Sequence, residues 1–293
     1  MTDTQVACVA PTGCVLGEGP LWSPSEGVLW WIDIKRAKLH RYNPKTGNTR
    51  RMDLPIRASV LALCNGDLLL AGDREVGLYD PETEAYERKV ALSAEGPGIR
   101  TNDGGLAPDG AFWVGVMHDA EKHVAGRFYR IGPDFSVSLV NAPRVMVTNL
   151  AQFSSDGRTF YTSDSVEQEI LAYDHDPETG RLSDRRVFAT TTALGGYPDG
   201  GAMDAEGALW VCLWDAGRLV RYRPDGRIDR QVGLPVSRPT SCTFGGPDLT
   251  TLYITSARIG INGEALMAQS MAGGLFALEV EVPGRRQRSF GVS

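Results

Sequence analysis

A short phrase, a tight turn followed by a strand rich in aromatic and branched residues, recurs along the chain. It restricts the fold more than any single motif. It reads S-E-G-V-L-W-W-I-D at 25–33, N-G-D-L-L-L-A-G-D at 65–73 and D-G-A-F-W-V-G-V-M at 109–117. It continues as D-G-R-T-F-Y-T-S-D at 156–164, E-G-A-L-W-V-C-L-W at 206–214 and P-D-L-T-T-L-Y-I-T at 247–255. Asp-Gly and Asn-Gly supply the positive φ that two-residue hairpin turns require. A further strand then closes each unit on a Tyr or Phe and another turn, as in K-L-H-R-Y-N-P-K-T-G (38–47) and L-V-R-Y-R-P-D-G (219–226).

The repeat length, roughly 40–50 residues, is that of a propeller blade. No long amphipathic helical pattern interrupts it. The spacing therefore predicts an all-β protein: a six-bladed β-propeller of four-stranded antiparallel blades. An open sheet edge is a liability, and Gln5–Pro11 reads as an orphan strand ahead of the first full unit. It is expected to enter the last blade and close the ring. No linker, low-complexity tract or charge block divides residues 1–293, so a single domain is expected.

Four oxygen-bearing residues stand at one phase of the repeat: Glu18, Asn102, Asn149 and Asp199, each four residues before an apolar residue that precedes a turn. Ala58 and Thr240 hold the corresponding places in the other two units. Acids and amides are poor strand residues. Held together around one channel they need a compensating cation or proton, and carboxylate and carbonyl oxygens suit Ca²⁺, Mg²⁺ or Mn²⁺, with Zn²⁺ or Fe²⁺ as further candidates.

Composition excludes several classes. A net charge of -6 and a pI near 5.3 leave no electrostatic footprint for nucleic acid. No apolar run approaches a membrane span, and the start Met1-Thr2-Asp3-Thr4-Gln5 lacks a basic and apolar leader. The five scattered cysteines, without a C-x-x-C, read as free thiols of a cytoplasmic protein. There is no G-x-S-x-G and no H-E-x-x-H. The segment Asp174–Gly180 resembles a calcium loop, but its glycine is misplaced and no glutamate closes it, so it reads as a hairpin turn.

The motifs L-G-E-G-P-L-W (16–22), R-T-N-D-G-G-L-A-P-D-G (100–110), W-V-G-V-M (113–117), T-N-L-A-Q-F-S-S-D-G (148–157) and Y-P-D-G (197–200), in this order, resemble the gluconolactonase/regucalcin-like family. The resemblance spans essentially the whole chain. It implies a six-bladed propeller that hydrolyses sugar lactones to aldonic acids with one divalent cation. It further implies Glu18, Asn149 and Asp199 as metal ligands, and Arg100, Asn102 and Asp103 as substrate-side residues. Leu150 departs from the pattern, standing where a glycine is common. The loop Met117-His118-Asp119 is of the kind that reads the sugar, so His118 and Asp119 join the substrate side. Asp199 is the first candidate for general base and Asp103 the second. The expected partner is a small sugar lactone, such as a glucono-, xylono- or arabinono-lactone, bound by a monomer or weak homo-oligomer. A promiscuous esterase or phosphotriesterase, a calcium-binding regulator and a non-catalytic scaffold are the alternative readings.

Overall fold

The computed structural model describes residues 6–93 and 96–291. Its strands form six four-stranded antiparallel sheets, the blades of a six-bladed β-propeller. Five blades take their strands consecutively, beginning at Gly17–Ser23, Ala58–Cys64, Ile99–Leu106, Thr148–Phe153 and Tyr197–Met203. The sixth holds Pro239–Gly245, Thr251–Ser256 and Leu275–Glu279, and Ala7–Ala10 pairs antiparallel with the last of these. Gln5, the first residue of the orphan strand, lies outside the described residues. The one α-helix among the described residues is Gly263–Ala268.

Turn chemistry sets the hairpins. Asn65 and Gly66 have φ of 49° and 97°, both positive as a two-residue turn demands. Asp176, in the calcium-like segment, accepts the Glu178 N–H at 3.0 Å and the Thr179 hydroxyl at 2.6 Å, an Asx turn inside a hairpin.

Aspartates at the ends of second strands repeat a second device. Asp33 accepts the N–H groups of Val15 and Leu16 at 2.9 and 3.2 Å, Asp73 that of Arg57 at 3.3 Å, and Asp164 that of Met146 at 3.1 Å. Each ties the segment entering a blade to the strand beside it, so these acids are architectural.

The chain divides into two compact units: Met1–Leu54 with Thr191–Gln287, and Pro55–Thr190 with Arg288–Ser293. In the first, Trp22 stacks on Tyr253 at 6.0 Å, and Trp210, Cys212, Cys242 and Phe276 share a buried cluster. In the second, Trp113 packs against Phe153 and Phe160 at 5.1 and 4.9 Å. Phe290 docks within that second unit, where its N–H donates to the Leu63 carbonyl at 2.7 Å and its ring is buried. All five cysteines are free.

Candidate functional site

The second unit contains a continuous chain of side-chain hydrogen bonds. Asp119 anchors it: the Arg100 Nε–H donates to Oδ1 at 2.6 Å and the Arg57 Nη1–H to Oδ2 at 2.8 Å. The buried Arg100 guanidinium turns its Nη1 to Asn102 Oδ1 at 2.6 Å and to the Thr101 carbonyl at 2.8 Å. Asn102 Nδ2 donates to Asn149 Oδ1 at 2.9 Å and to the Thr148 carbonyl at 2.8 Å. Asn149 Nδ2 then donates to Ser165 Oγ at 2.8 Å. Both amides are fixed in orientation, because reversing either would place donor against donor.

Asp103 stands beside this chain rather than in it. Its oxygens accept the backbone N–H of Gly104 and of Leu150, each at 2.7 Å. Burial pushes its carboxyl up to about 6, opposed by these amides and by that of Ala151. It thereby holds the backbone turn that follows Asn149. Leu150 adopts φ 59° with its side chain fully buried, and Gly19, which follows Glu18, adopts 55°. The left-handed conformation costs a branched residue roughly 1–2 kcal/mol. Burying the leucine returns about 1.5–3 kcal/mol, enough to tolerate it.

The ladders refine the phase read from the sequence. Glu18 pairs with Ile32 and Asn149 with Ser163, and in each strand the ladder then breaks at a bulge. In the third and fifth blades the last paired residues are Thr101 and Pro198, so Asn102 and Asp199 are the first residues inside the bulge. The four thus occupy two neighbouring places, not one. Aligning on the apolar residue before the turn hides this, because Trp22 and Phe153 sit one rung from where Leu106 and Met203 sit. Bulges of this kind re-aim side chains next to active sites.

The remaining candidates belong to the first unit. Asp199 is buried at 7 % exposure, and Glu18 is half-buried with Oε2 accepting the Gly19 N–H at 3.2 Å. Both carboxylates bear on the buried Cys212 thiol. Burial chiefly, then the Cys242 thiol, then Asp199 and Glu18, push Cys212 well above the usual thiol range. Thr240 spends its hydroxyl on the Gly17 carbonyl at 2.6 Å and on Thr255 at 2.8 Å.

His118 does not enter the hydrogen-bonded chain. Its Nδ1 accepts the Ala120 N–H at 3.2 Å and its ring meets His123 edge-on at 4.9 Å. Sequence reading passed over Arg57, Ser165 and Cys212. Arg57 was detectable: it precedes Ala58 as Arg100 precedes Thr101, one place before the bulge in its own blade.

Comparison with known proteins identifies the family. The SMP-30/Gluconolactonase/LRE-like region matches residues 16–258, and the chain belongs to that family of β-propellers. It is 35% identical over 287 residues to a 6-deoxy-6-sulfogluconolactonase of Pseudomonas putida, covering 97% of each chain. A pentonolactonase of Haloferax volcanii is also 35% identical, over 295 residues and 97% of each chain. Among solved structures, a calcium-binding regucalcin from Agrobacterium tumefaciens superposes with a TM-score of 0.93 at 31% identity, over 98% of this chain and 97% of that one.

Proposed function

We propose that the chain hydrolyses a sugar lactone, the internal ester of an aldonic acid, with one divalent cation held by Glu18, Asn149 and Asp199. The observation that carries this reading is the chain from Asp119 through Arg100 and Asn102 to Asn149. It pre-sets a cationic and amide surface beside a ligand-type oxygen. The lactonase names of the relatives support the substrate class, with glucono-, xylono- and arabinono-lactones as the first candidates.

The donor set fits a hard cation. Among the described residues no three His, Cys, Asp or Glu side chains group as a metal site, so a neutral oxygen has to complete a pair of carboxylates. Asn149 Oδ1 accepts one N–H, from Asn102, and a carbonyl oxygen has two lone pairs. Ser165 turns the amide so that this oxygen, not the NH₂, faces away from it. The bound cation supplies Lewis acidity toward the ester carbonyl.

The chain's own groups do the rest. Asp199 accepts the proton of the attacking water. The ring C–O bond breaks and a hydroxy acid forms, releasing a proton at neutral pH. Asn102 has spent both amide hydrogens, so it meets a substrate hydroxyl only as an acceptor through Oδ1. Arg100 contributes its charge to the substrate side, Asp119 holds Arg100, and His118 is kept as a substrate-side candidate. Asp103 holds the turn after Asn149 and stays the second candidate for the base, since its oxygens accept backbone N–H groups and keep acceptor capacity.

The test is proton release from a panel of aldonolactones, with and without added Ca²⁺, Mg²⁺, Mn²⁺ or Zn²⁺. Turnover should depend on a metal and fall on the order of 100-fold or more in Glu18→Ala and Asp199→Ala. Near-normal turnover in either variant sinks the assignment. Cation binding without turnover of any lactone would favour a calcium-binding role in its place.

A further inference from the structure

We infer that Arg57 is a positioning residue of the substrate side, acting through Asp119 on Arg100. The inference rests on the lactonase reading for its kinetic consequences but on the geometry of the second unit for its substance. Two arginines share one carboxylate, and they do so from equivalent places. Arg100 pairs with Met117 at the end of the second strand of its blade. Arg57 meets Asp73 at the same point of the preceding blade, where the Asp73 N–H donates to the Arg57 carbonyl at 3.3 Å. The repeat thus presents two guanidiniums from adjacent blades, and the loop after His118 delivers Asp119 between them.

Each carboxylate oxygen takes one guanidinium: Oδ1 the Arg100 Nε–H at 2.6 Å, Oδ2 the Arg57 Nη1–H at 2.8 Å. That division has a mechanical consequence. A guanidinium on one oxygen alone leaves a carboxylate able to turn about its Cβ–Cγ bond, and a second guanidinium on the other oxygen resists that turn. With Arg57 on the second oxygen, the plane of Asp119 is fixed, and so is the plane of the Arg100 fork that reaches Asn102. Arg57 is itself held, since its Nε–H donates to Asp73 Oδ1 at 3.1 Å while Asp73 Oδ2 takes its backbone N–H. The order of constraint therefore runs Asp73, Arg57, Asp119, Arg100, Asn102.

Energetics separate this role from a merely structural one. Arg57 and Asp119 are 31% and 29% exposed at the side chain, and an ion pair so placed contributes little to folding, about 0–1 kcal/mol. Arg100 is 6% exposed, and misaligning a buried guanidinium costs the charge-assisted hydrogen bonds it makes. Loss of Arg57 should therefore register in substrate binding far more than in stability.

The experiment compares wild type with Arg57→Ala, Arg57→Lys and Arg57→Gln on any aldonolactone the wild type turns over. Arg57→Ala should raise KM about 10- to 100-fold, as expected when a charge-assisted hydrogen bond is lost. Its kcat should stay within about threefold and its Tm near wild type. Added methylguanidinium should restore part of the loss in Arg57→Ala and none in a variant damaged by misfolding. Unchanged KM in a folded Arg57→Ala or Arg57→Gln overturns the inference. A second readout needs no substrate: the Arg100 Nε–H resonance, protected in wild type, should lose that protection in Arg57→Ala and keep most of it in Arg57→Lys. If the wild type turns over no lactone, the lactonase reading fails and this resonance alone decides Arg57; unaltered protection rejects its role.

Discussion

His40 occupies a place where a charge is costly. It is buried, stacks on Trp31 at 4.8 Å and has its Nε2 3.6 Å from the Cys14 thiol. Burial lowers its pKa from 6.5 to about 4; Asp33 pulls it up and Arg51, Arg36 and Lys38 press it down. The folded chain thus binds this proton more weakly than the unfolded one. The stability from keeping His40 neutral is present above pH 6.5 and is lost as pH falls through about 4. His40→Phe keeps the stack and removes the titration. Between pH 7 and pH 4, urea denaturation should show wild type losing on the order of 3 kcal/mol more than the variant. Parallel losses would show that His40 is not the group being titrated. Hydrogen-bond partners also separate Asn102, with both amide hydrogens spent, from Asp103, with both oxygens on backbone amides. Two neighbours in the sequence thus do different work.

At the level of strands, the close approach of the third and fourth blades depends on glycine. A methyl group added at Gly105 would meet the Ala151 carbonyl oxygen of the neighbouring first strand. That oxygen belongs to backbone and cannot swing aside. Gly105→Ala should therefore cost about 3 kcal/mol, the upper end for overpacking, whereas Gly233→Ala, with nothing within 4 Å, should change stability by less than about 0.5 kcal/mol. Equal midpoints in chemical denaturation would refute the argument. The turns and strands themselves were legible in the sequence, because Asn65-Gly66 and its counterparts punctuate strands of one composition. The bulges were not, since each adds one residue to a first strand that has only two or three paired residues on either side, too few to display the shift in alternation. That is why the four oxygen-bearing residues looked equivalent, and why Arg57, beside the inert Ala58, escaped notice. The tail that brings Phe290 to Leu63 was also unreadable, having neither a period nor a charge pattern.

For the molecule as a whole, the residue types of the proposed site were legible while their partnerships were not. Glu18, Asn149 and Asp199, the proposed ligand set, came from composition at a repeated position and from family resemblance. The hydrogen bonds that orient the Asn149 amide come from Asn102 and Ser165, which reach it in space. A cation that binds the native chain and not the unfolded one raises stability by RT ln(1 + [L]/Kd), about 2.7 kcal/mol at a hundredfold excess over Kd. The donor set assigned to that cation has two carboxylates, so removing either should abolish most of the gain through lost charge alone. Thermal unfolding after chelation, repeated with Ca²⁺, Mg²⁺, Mn²⁺ or Zn²⁺, should show Tm rising for wild type with at least one ion. It should rise little or not at all for Glu18→Ala and Asp199→Ala. Asn149→Ala should fall between, losing one neutral donor, and Ser165→Ala should keep a reduced response, because the amide remains but is free to turn. A full metal response in Asp199→Ala would place the cation elsewhere and leave Asp199 and Glu18 as a buried and a half-buried acid whose charges bear on Cys212.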